Sequence, residues 1–130
     1  MSLQDVDDLA AAVAEAARVL TSGGRLALAT VHPVNSAGDF RGANADAPFV
    51  IEGSYLGRAH YADTVARDDL EMTFVSEHRP LETYAAALAE AGFLIERIRE
   101  PAIPDGAFSS EQSLRWHRIP LFLHLRAIKA

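Results

Sequence analysis

The chain has 130 residues, a formal net charge of −6 and no cysteine. This length predicts a single domain, residues 1–130, that buries roughly two thirds of the surface of its unfolded form. The acidic balance argues against a nucleic-acid binder, which needs a basic face, and the lack of cysteine excludes disulfides and thiolate metal sites. No apolar run approaches a membrane span and no signal-peptide pattern occurs. We therefore expect a cytoplasmic protein without membrane or nucleic-acid partners.

The first third of the chain predicts a helix, a strand and a loop. Residues 5–20 carry apolar side chains at helical spacing, with aspartates at the start and glycines at the end, where each favours a helix terminus. The segment RLALATV, residues 25–31, is apolar on both faces, which is typical of an interior strand in a parallel sheet covered on both sides. Residues 32–48 are rich in Gly, Asn, Asp and Pro and predict a long loop.

The remainder alternates strands with one clear helix. Residues 60–78 alternate in two halves around Arg67-Asp68-Asp69 and predict a hairpin. Residues 79–93 have Pro80 early and Gly92 at the end, which predicts a helix. Strands are predicted at 94–100 and 119–129, and the spacing of Ser109 and Gln112 predicts a capped helical turn over 109–116. The order α-β-loop-ββ-α-β-β indicates an α/β fold, a mixed sheet flanked by helices.

Three segments resemble class I S-adenosylmethionine-dependent methyltransferases. They are EAARVLTSGGRLALATVHP, SEHRPLETYAAALAEAGFLIERIREP and RWHRIPLFLHLRAIK, in that order. The resemblance is to the small-molecule enzymes with a hairpin inserted before the HR-L-x-x-Y helix. It implies a partial Rossmann-like sheet made of the equivalents of strands 5, 6 and 7 plus the inserted hairpin. It also implies that the last strand lies between residues 25–31 and residues 94–100, antiparallel to both.

The chain departs from that family in the part that binds the cofactor. The family's front half supplies a Gly-rich loop after its first strand and an acidic residue for the ribose, and this sequence has neither. Its Gly23-Gly24 pair precedes a strand, whereas a cofactor loop must follow one and open a helix. We therefore interpret the chain as the C-terminal portion of a methyltransferase domain. S-adenosylmethionine is the expected cofactor of the parent enzyme, and this chain alone is expected not to bind it; its cofactor-binding residues stay unassigned.

Five residues are candidates for the site. His32 follows residues 25–31 at the strand end where ligands bind in α/β sheets; it is the candidate catalytic base, with ligand shaping or a plain loop histidine as alternatives. Tyr55 is expected to line the substrate pocket or to pack. His78 and Arg79 are candidates for substrate binding, Arg79 through a carboxylate, and the favoured alternative is that both brace the hairpin against the next helix. Trp116 closes the pocket or covers the sheet edge.

Two further residues and the metals are assigned structural or negative roles. Tyr84 and His124 are expected to be buried in the core. The five histidines form no i, i+4 pair, so no metal is predicted.

Two functions and one assembly are open at this stage. The first function is methyl transfer from S-adenosylmethionine to a small molecule by the parent enzyme. In-line displacement depends mainly on positioning, so no sharp acid-base motif is expected. The alternative is a non-enzymatic dimeric module that binds a ligand or partner. A homodimer through the exposed strand 25–31 is predicted, because that strand is apolar and has no lysine, proline or bulge guarding its edge.

Overall fold

The part of the chain that the structure describes forms seven strands in three antiparallel sheets and four helices. The computed structural model describes residues 3–107 and 110–130. Its helices are α1 (Leu9–Val19), α2 (Pro33–Ser36), α3 (Leu81–Glu90) and α4 (Glu111–Leu114). Its strands are β1 (Arg25–Val31), β2 (Gly38–Phe40), β3 (Phe49–Ile51), β4 (Ala59–Arg67), β5 (Leu70–His78), β6 (Phe93–Arg99) and β7 (Phe122–Lys129). Two 3-10 turns, Leu3–Asp5 and Arg115–His117, complete it.

The central sheet has the order β1-β7-β6, and β7 is antiparallel to both neighbours. The last strand therefore lies between the strand at 25–31 and the strand after α3, as predicted. Helices α1 and α3 pack against each other and cover one face of this sheet. The fold class is confirmed as mixed α/β, a partial Rossmann-like sheet flanked by helices.

The core lies between this sheet and the two long helices. Leu88, Leu123 and Ala127 are almost completely buried there, and burial of such side chains is the main favourable term in folding. Tyr84 is buried in the same core, as predicted. His124 is only half-buried, because it alternates with Leu123 and faces the other side of β7. The expectation of a buried His124 was wrong.

Strand β1 differs from the interior strand of the sequence analysis. Leu26 and Leu28 pack against the core, whereas Arg25, Ala27 and Ala29 are exposed on the opposite face. Within residues 3–107 and 110–130, β1 pairs with β7 alone and is an edge of the sheet. Leucine alternates with alanine along β1, so both faces of the strand are apolar in the sequence. In the residues that the structure describes, only the leucine face is covered.

Residues 32–48 are more ordered than the predicted long loop. Pro33 begins the short helix α2, a position where its missing N–H costs nothing. Strand β2 then pairs with β3 over three residues. Gly38 allows this pairing, since a Cβ there would collide with the carbonyl oxygen of Val50. The composition marked this segment as irregular and hid both elements.

The hairpin β4–β5 forms as predicted. Its two nine-residue strands pair over their whole length, from Ala59 with His78 to Arg67 with Leu70. Asp68 and Asp69 form the turn at φ of 51° and 63°, the left-handed conformation that a two-residue hairpin turn requires and that aspartate tolerates.

The helix ends are shifted from their predicted positions. Helix α1 begins at Leu9 and not at residue 5, because Asp8 is the cap and its Oδ1 accepts a hydrogen bond from the N–H of Ala11 at 2.9 Å. The predicted capping residue Ser109 lies outside the described residues. Ser110 caps α4, its Oγ accepting from the N–H of Ser113 at 3.1 Å.

Candidate functional site

His32 stands at the carboxyl end of β1, where it caps helix α2. Its Nδ1 accepts a hydrogen bond from the N–H of Val34 at 3.0 Å. Its Nε2 lies 2.7 Å from Oε1 of Glu100. Because Nδ1 is an acceptor, the ring proton is on Nε2 and is donated to the carboxylate. His32 is 4% exposed, and both ring nitrogens are hydrogen-bonded. The imidazole thereby fixes the direction in which the chain leaves β1.

His78 is a second buried histidine and connects three segments. Its Nε2 lies 2.8 Å from the carbonyl oxygen of Tyr55, which can only accept, so Nε2 carries the proton. Its Nδ1 then accepts from the hydroxyl of Ser36, whose Oγ is 2.6 Å away. The Tyr55 ring meets the imidazole edge to face, and its hydroxyl oxygen accepts from the N–H of Leu81 at the start of α3. These contacts hold α2, the loop before β4 and α3 together.

Arg79 is directed towards the N-terminal segment. It is 1% exposed, and its guanidinium donates to the carbonyl oxygens of Leu3 at 3.0 Å and Val6 at 2.6 Å. Its Nη2 also lies 2.5 Å from Oε2 of the buried Glu77. The two groups form an ion pair but are not aligned for a hydrogen bond, so their attraction is mainly Coulombic. The other oxygen of Glu77 accepts from Nε of Arg58 at 2.7 Å. These are the contacts of a brace between the hairpin base and the N-terminal segment.

A cleft opens at the carboxyl end of β1. Its volume is about 520 Å³, within the range of small-molecule sites. Helix α2, the sheet β2–β3, the base of β4 and the turn after α4 surround it. It is lined by Val31, Asn35, Ser36, Ala37, Gly38, Asp39, Arg41, Val50, Glu52, Tyr61, Ala62, Asp63 and Trp116. A ligand in an open α/β sheet is expected at this end of the strands.

The cleft combines an aromatic wall with exposed acidic side chains. The Trp116 ring packs edge to face on Phe40, with centroids 5.0 Å apart, and the guanidinium of Arg115 lies 4.7 Å from the Phe40 centroid. Asp39 and Asp63 also line the cleft. Burial raises the pKa of Tyr61 above its ordinary value, and its phenol interacts with the side chain of Ser76 at the hairpin base.

The structure separates the five candidate residues. Trp116 lines the cleft, and His32 follows Val31 at its base. His78 reaches the cleft through the Ser36 hydroxyl, and Tyr55 lies behind it. Arg79 instead lies at the floor of a second groove of about 800 Å³ between α1 and α3.

Sequence reasoning missed Ser36, Asp39, Tyr61 and Asp63 in the cleft. Tyr61 falls within the alternating residues 60–78 that predicted the hairpin, and that pattern indicates no role in a site. Ser36 carries no local signal at all, because its significance depends on His78, 42 residues away.

Two kinds of feature are absent from the described part of the chain. No helix within residues 3–107 and 110–130 is long and apolar enough to cross a membrane. In the same ranges, no group of three or more histidine or acidic side chains is arranged to hold a metal ion. The absence of a metal therefore stays a prediction.

The fold is shared with solved methyltransferase structures. No protein-family model matches the sequence, and no curated protein matches it significantly. An S-adenosylmethionine-dependent methyltransferase from Mesorhizobium loti is 24% identical with a TM-score of 0.72, and 99% of this chain covers 58% of that one. A Listeria monocytogenes protein of the same assignment is 20% identical with a TM-score of 0.71, and the whole of this chain covers 58% of it. The glycopeptide N-methyltransferase MtfA, in complex with S-adenosyl-L-homocysteine, is 14% identical with a TM-score of 0.55, and 99% of this chain covers 51% of it.

The similarity covers only part of each of these methyltransferase structures. The chain spans 58% of the length of the first two structures, and identities of this size establish a shared fold. The chain therefore has the α/β fold of part of an S-adenosylmethionine-dependent methyltransferase.

Proposed function

We propose that this chain is the C-terminal, acceptor-binding portion of an S-adenosylmethionine-dependent methyltransferase that acts on a small molecule. The observation that carries the proposal is the cleft at the carboxyl end of β1, in a chain with a methyltransferase fold. Its volume, its aromatic wall at Trp116 and its polar groups suit a compact acceptor with hydrogen-bonding atoms.

The residues of this chain do not fit the cofactor. Gly23 and Gly24 form the tight turn between α1 and β1, with the N–H of Gly23 donating to the carbonyl oxygen of Lys129. This turn is at the opposite end of β1 from the cleft, so it offers no backbone approach to a ligand there. We propose that S-adenosylmethionine serves the parent enzyme through residues outside this sequence and does not bind this chain alone.

The contribution of this chain is to orient the acceptor and to receive its proton. Ser36 lines the cleft, and its hydroxyl donates to Nδ1 of His78, whose other nitrogen is held by the Tyr55 carbonyl. A proton leaving an acceptor hydroxyl or amine can pass to Ser36 as Ser36 passes its own proton to His78. His32 has no free lone pair for this role, so we assign it the ligand-shaping alternative. Trp116 is the wall, and Arg79 a positioning residue through its hold on the hairpin base.

Calorimetry tests the cofactor part of the proposal. S-adenosylhomocysteine titrated into this chain is expected to give no saturable heat at micromolar concentrations. Tight binding, on the order of −8 kcal/mol, would mean that this chain carries its own cofactor site.

The cytoplasmic location stays a prediction.

Methyl transfer in the whole protein tests the enzymatic part. Ser36→Ala and His78→Gln are expected to lower turnover while leaving cofactor affinity unchanged, since neither residue contacts the cofactor in the proposed arrangement. Trp116→Ala is the matched control for acceptor binding and should raise KM more than it lowers kcat. If no methyl transfer occurs under any condition while a small molecule still binds the cleft, the alternative hypothesis, a non-enzymatic module that binds a ligand or partner, is correct.

A further inference from the structure

The hairpin β4–β5 has one apolar and one polar face. Residues paired across the two strands share a face, so the pairs Val65–Met72, Asp63–Phe74 and Arg67–Leu70 lie on the first. The second face carries the pairs Thr64–Thr73, Ala66–Glu71 and Ala62–Val75. Phe74, Met72, Val65 and Leu70 on the first face are between 46% and 70% exposed.

Within the residues that the structure describes, the hairpin is held to the body at its base. The Ser76 hydroxyl donates to Asp5 at 2.6 Å, and Glu77, His78 and Arg79 are buried in the brace. From Asp63 to Phe74 the strands extend outward with exposed side chains. A two-stranded ribbon is at best marginally stable in water unless its apolar face is covered. We therefore expect a binding partner to cover the apolar face of the hairpin between Asp63 and Phe74.

The charges on the apolar face identify the occupant. Asp63 and Arg67 lie on it two residues either side of Val65. A two-fold axis that passes above Val65–Met72, midway between two facing ribbons, parallel to their planes and perpendicular to their strands, sets Asp63 against Arg67 of a second copy and Arg67 against its Asp63. The same axis sets Phe74 against the second copy's Leu70. We infer that this face binds the same face of a second copy of the chain, strand directions reversed.

The alternative symmetric packing is disfavoured by the same charges. A two-fold axis parallel to the strands would place Asp63 against Phe74 and Arg67 against Leu70 of the second copy. That packing buries four charges without partners, which is costly. Self-complementary pairing of charge and apolar side chains is what a two-fold interface requires, and only the reversed arrangement provides it.

This assembly would complete the cleft. Tyr61 and Asp63 at the base of β4 line it, and the reversed packing brings the second copy's hairpin tip to Asp63. Each copy thus contributes the outer rim of the other's site.

The same surface competes with the edge of β1 as the site of dimerisation. There the side-chain oxygen of Gln4 accepts from the N–H of Val31 at 3.1 Å and from the Thr30 hydroxyl. That part of the edge is engaged within the chain, whereas the hairpin face is exposed. The dimer through residues 25–31 is the rival arrangement that the experiment must separate.

The experiment is sedimentation velocity with variants on the two hairpin faces. The exposed apolar face, five residues long on each strand, measures about 17 Å by 10 Å, well below the area of a standard interface, so the dimer is expected to be weak and to dissociate on dilution in or above the micromolar range. Met72→Asp is expected to give monomers, and Val75→Asp is the matched control, since the two side chains are 56% and 61% exposed on opposite faces. Circular dichroism confirms that both are folded.

Charge reversal tests the geometry directly. Asp63→Arg should weaken association about tenfold, since two attractive contacts become repulsive, and the double variant D63R/R67D should restore it. The inference is overturned by a monomeric wild type, by equal effects of Met72→Asp and Val75→Asp, or by failure of the double variant to restore association. Dissociation by Leu28→Lys, with the hairpin variants unaffected, would assign the dimer to the β1 edge instead.

Discussion

Replacing Arg79 with methionine should destabilise the fold more than any surface change. Methionine keeps much of the side-chain volume but removes the donors to the Leu3 and Val6 carbonyls and leaves the carboxylate of Glu77 without its buried partner. Breaking a buried ion pair by removing one partner costs about 3–5 kcal/mol. Glu77 keeps its contact with Arg58, which places the expected loss near the lower limit, about 3 kcal/mol.

Urea unfolding followed by circular dichroism measures this loss. The matched control is Arg58→Met, because Arg58 binds the same carboxylate from a position 62% exposed and should cost less than about 1 kcal/mol. The double variant R79M/E77Q should recover part of the loss, since no buried charge is left unpaired. If Arg79→Met costs no more than Arg58→Met, or if the double variant is the sum of the singles, the buried guanidinium is not a brace.

Three smaller perturbations test other contacts. His32→Ala removes the cap of α2 and the bond to Glu100; the free energy of unfolding should fall by about 1 kcal/mol, and an unchanged value would argue against the cap. Gly38→Ala should separate β2 from β3 because its Cβ meets the Val50 carbonyl, seen as faster amide exchange in β2 and β3 but not in the other two sheets. Tyr61 has a raised pKa in the fold, so stability should fall as pH rises through and beyond about 10; in Tyr61→Phe this fall should be smaller.

The elements predicted correctly are those with strong local patterns. The hairpin is specified by alternation on both sides of Asp68-Asp69, two residues that tolerate the turn's left-handed backbone. The position of the last strand followed from the resemblance, because no local pattern determines which strands become neighbours. The prediction of a long loop over residues 32–48 was incomplete because the local pattern there is weak. The β2–β3 pairing is three residues long and depends on the close approach of Gly38 to Val50.

The candidate site was harder to predict than the fold. Position in the sequence suggested His32 and Trp116, of which Trp116 lines the cleft, but Ser36 contacts His78 from 42 residues away along the chain. Arg79 hydrogen-bonds backbone carbonyls of Leu3 and Val6. Every residue presents such a carbonyl, so no sequence pattern reveals that partner. Contacts to backbone between distant segments are therefore invisible to reasoning from side-chain types.

The brace and the proposed dimer face are mechanically linked. The hairpin is nine residues long and extends about 30 Å from its base, and Glu77, His78 and Arg79 fix that base. Without the brace the base no longer holds the hairpin in one orientation, and a two-stranded ribbon without such support is at best marginally stable in water, so fewer molecules present the ordered face that pairs Asp63 with Arg67 of the second copy. Arg79→Met is therefore expected to weaken dimerisation under conditions where it is still folded, although Arg79 lies far from the interface. If Arg79→Met dimerises as tightly as wild type, the hairpin orientation is set by contacts other than the brace.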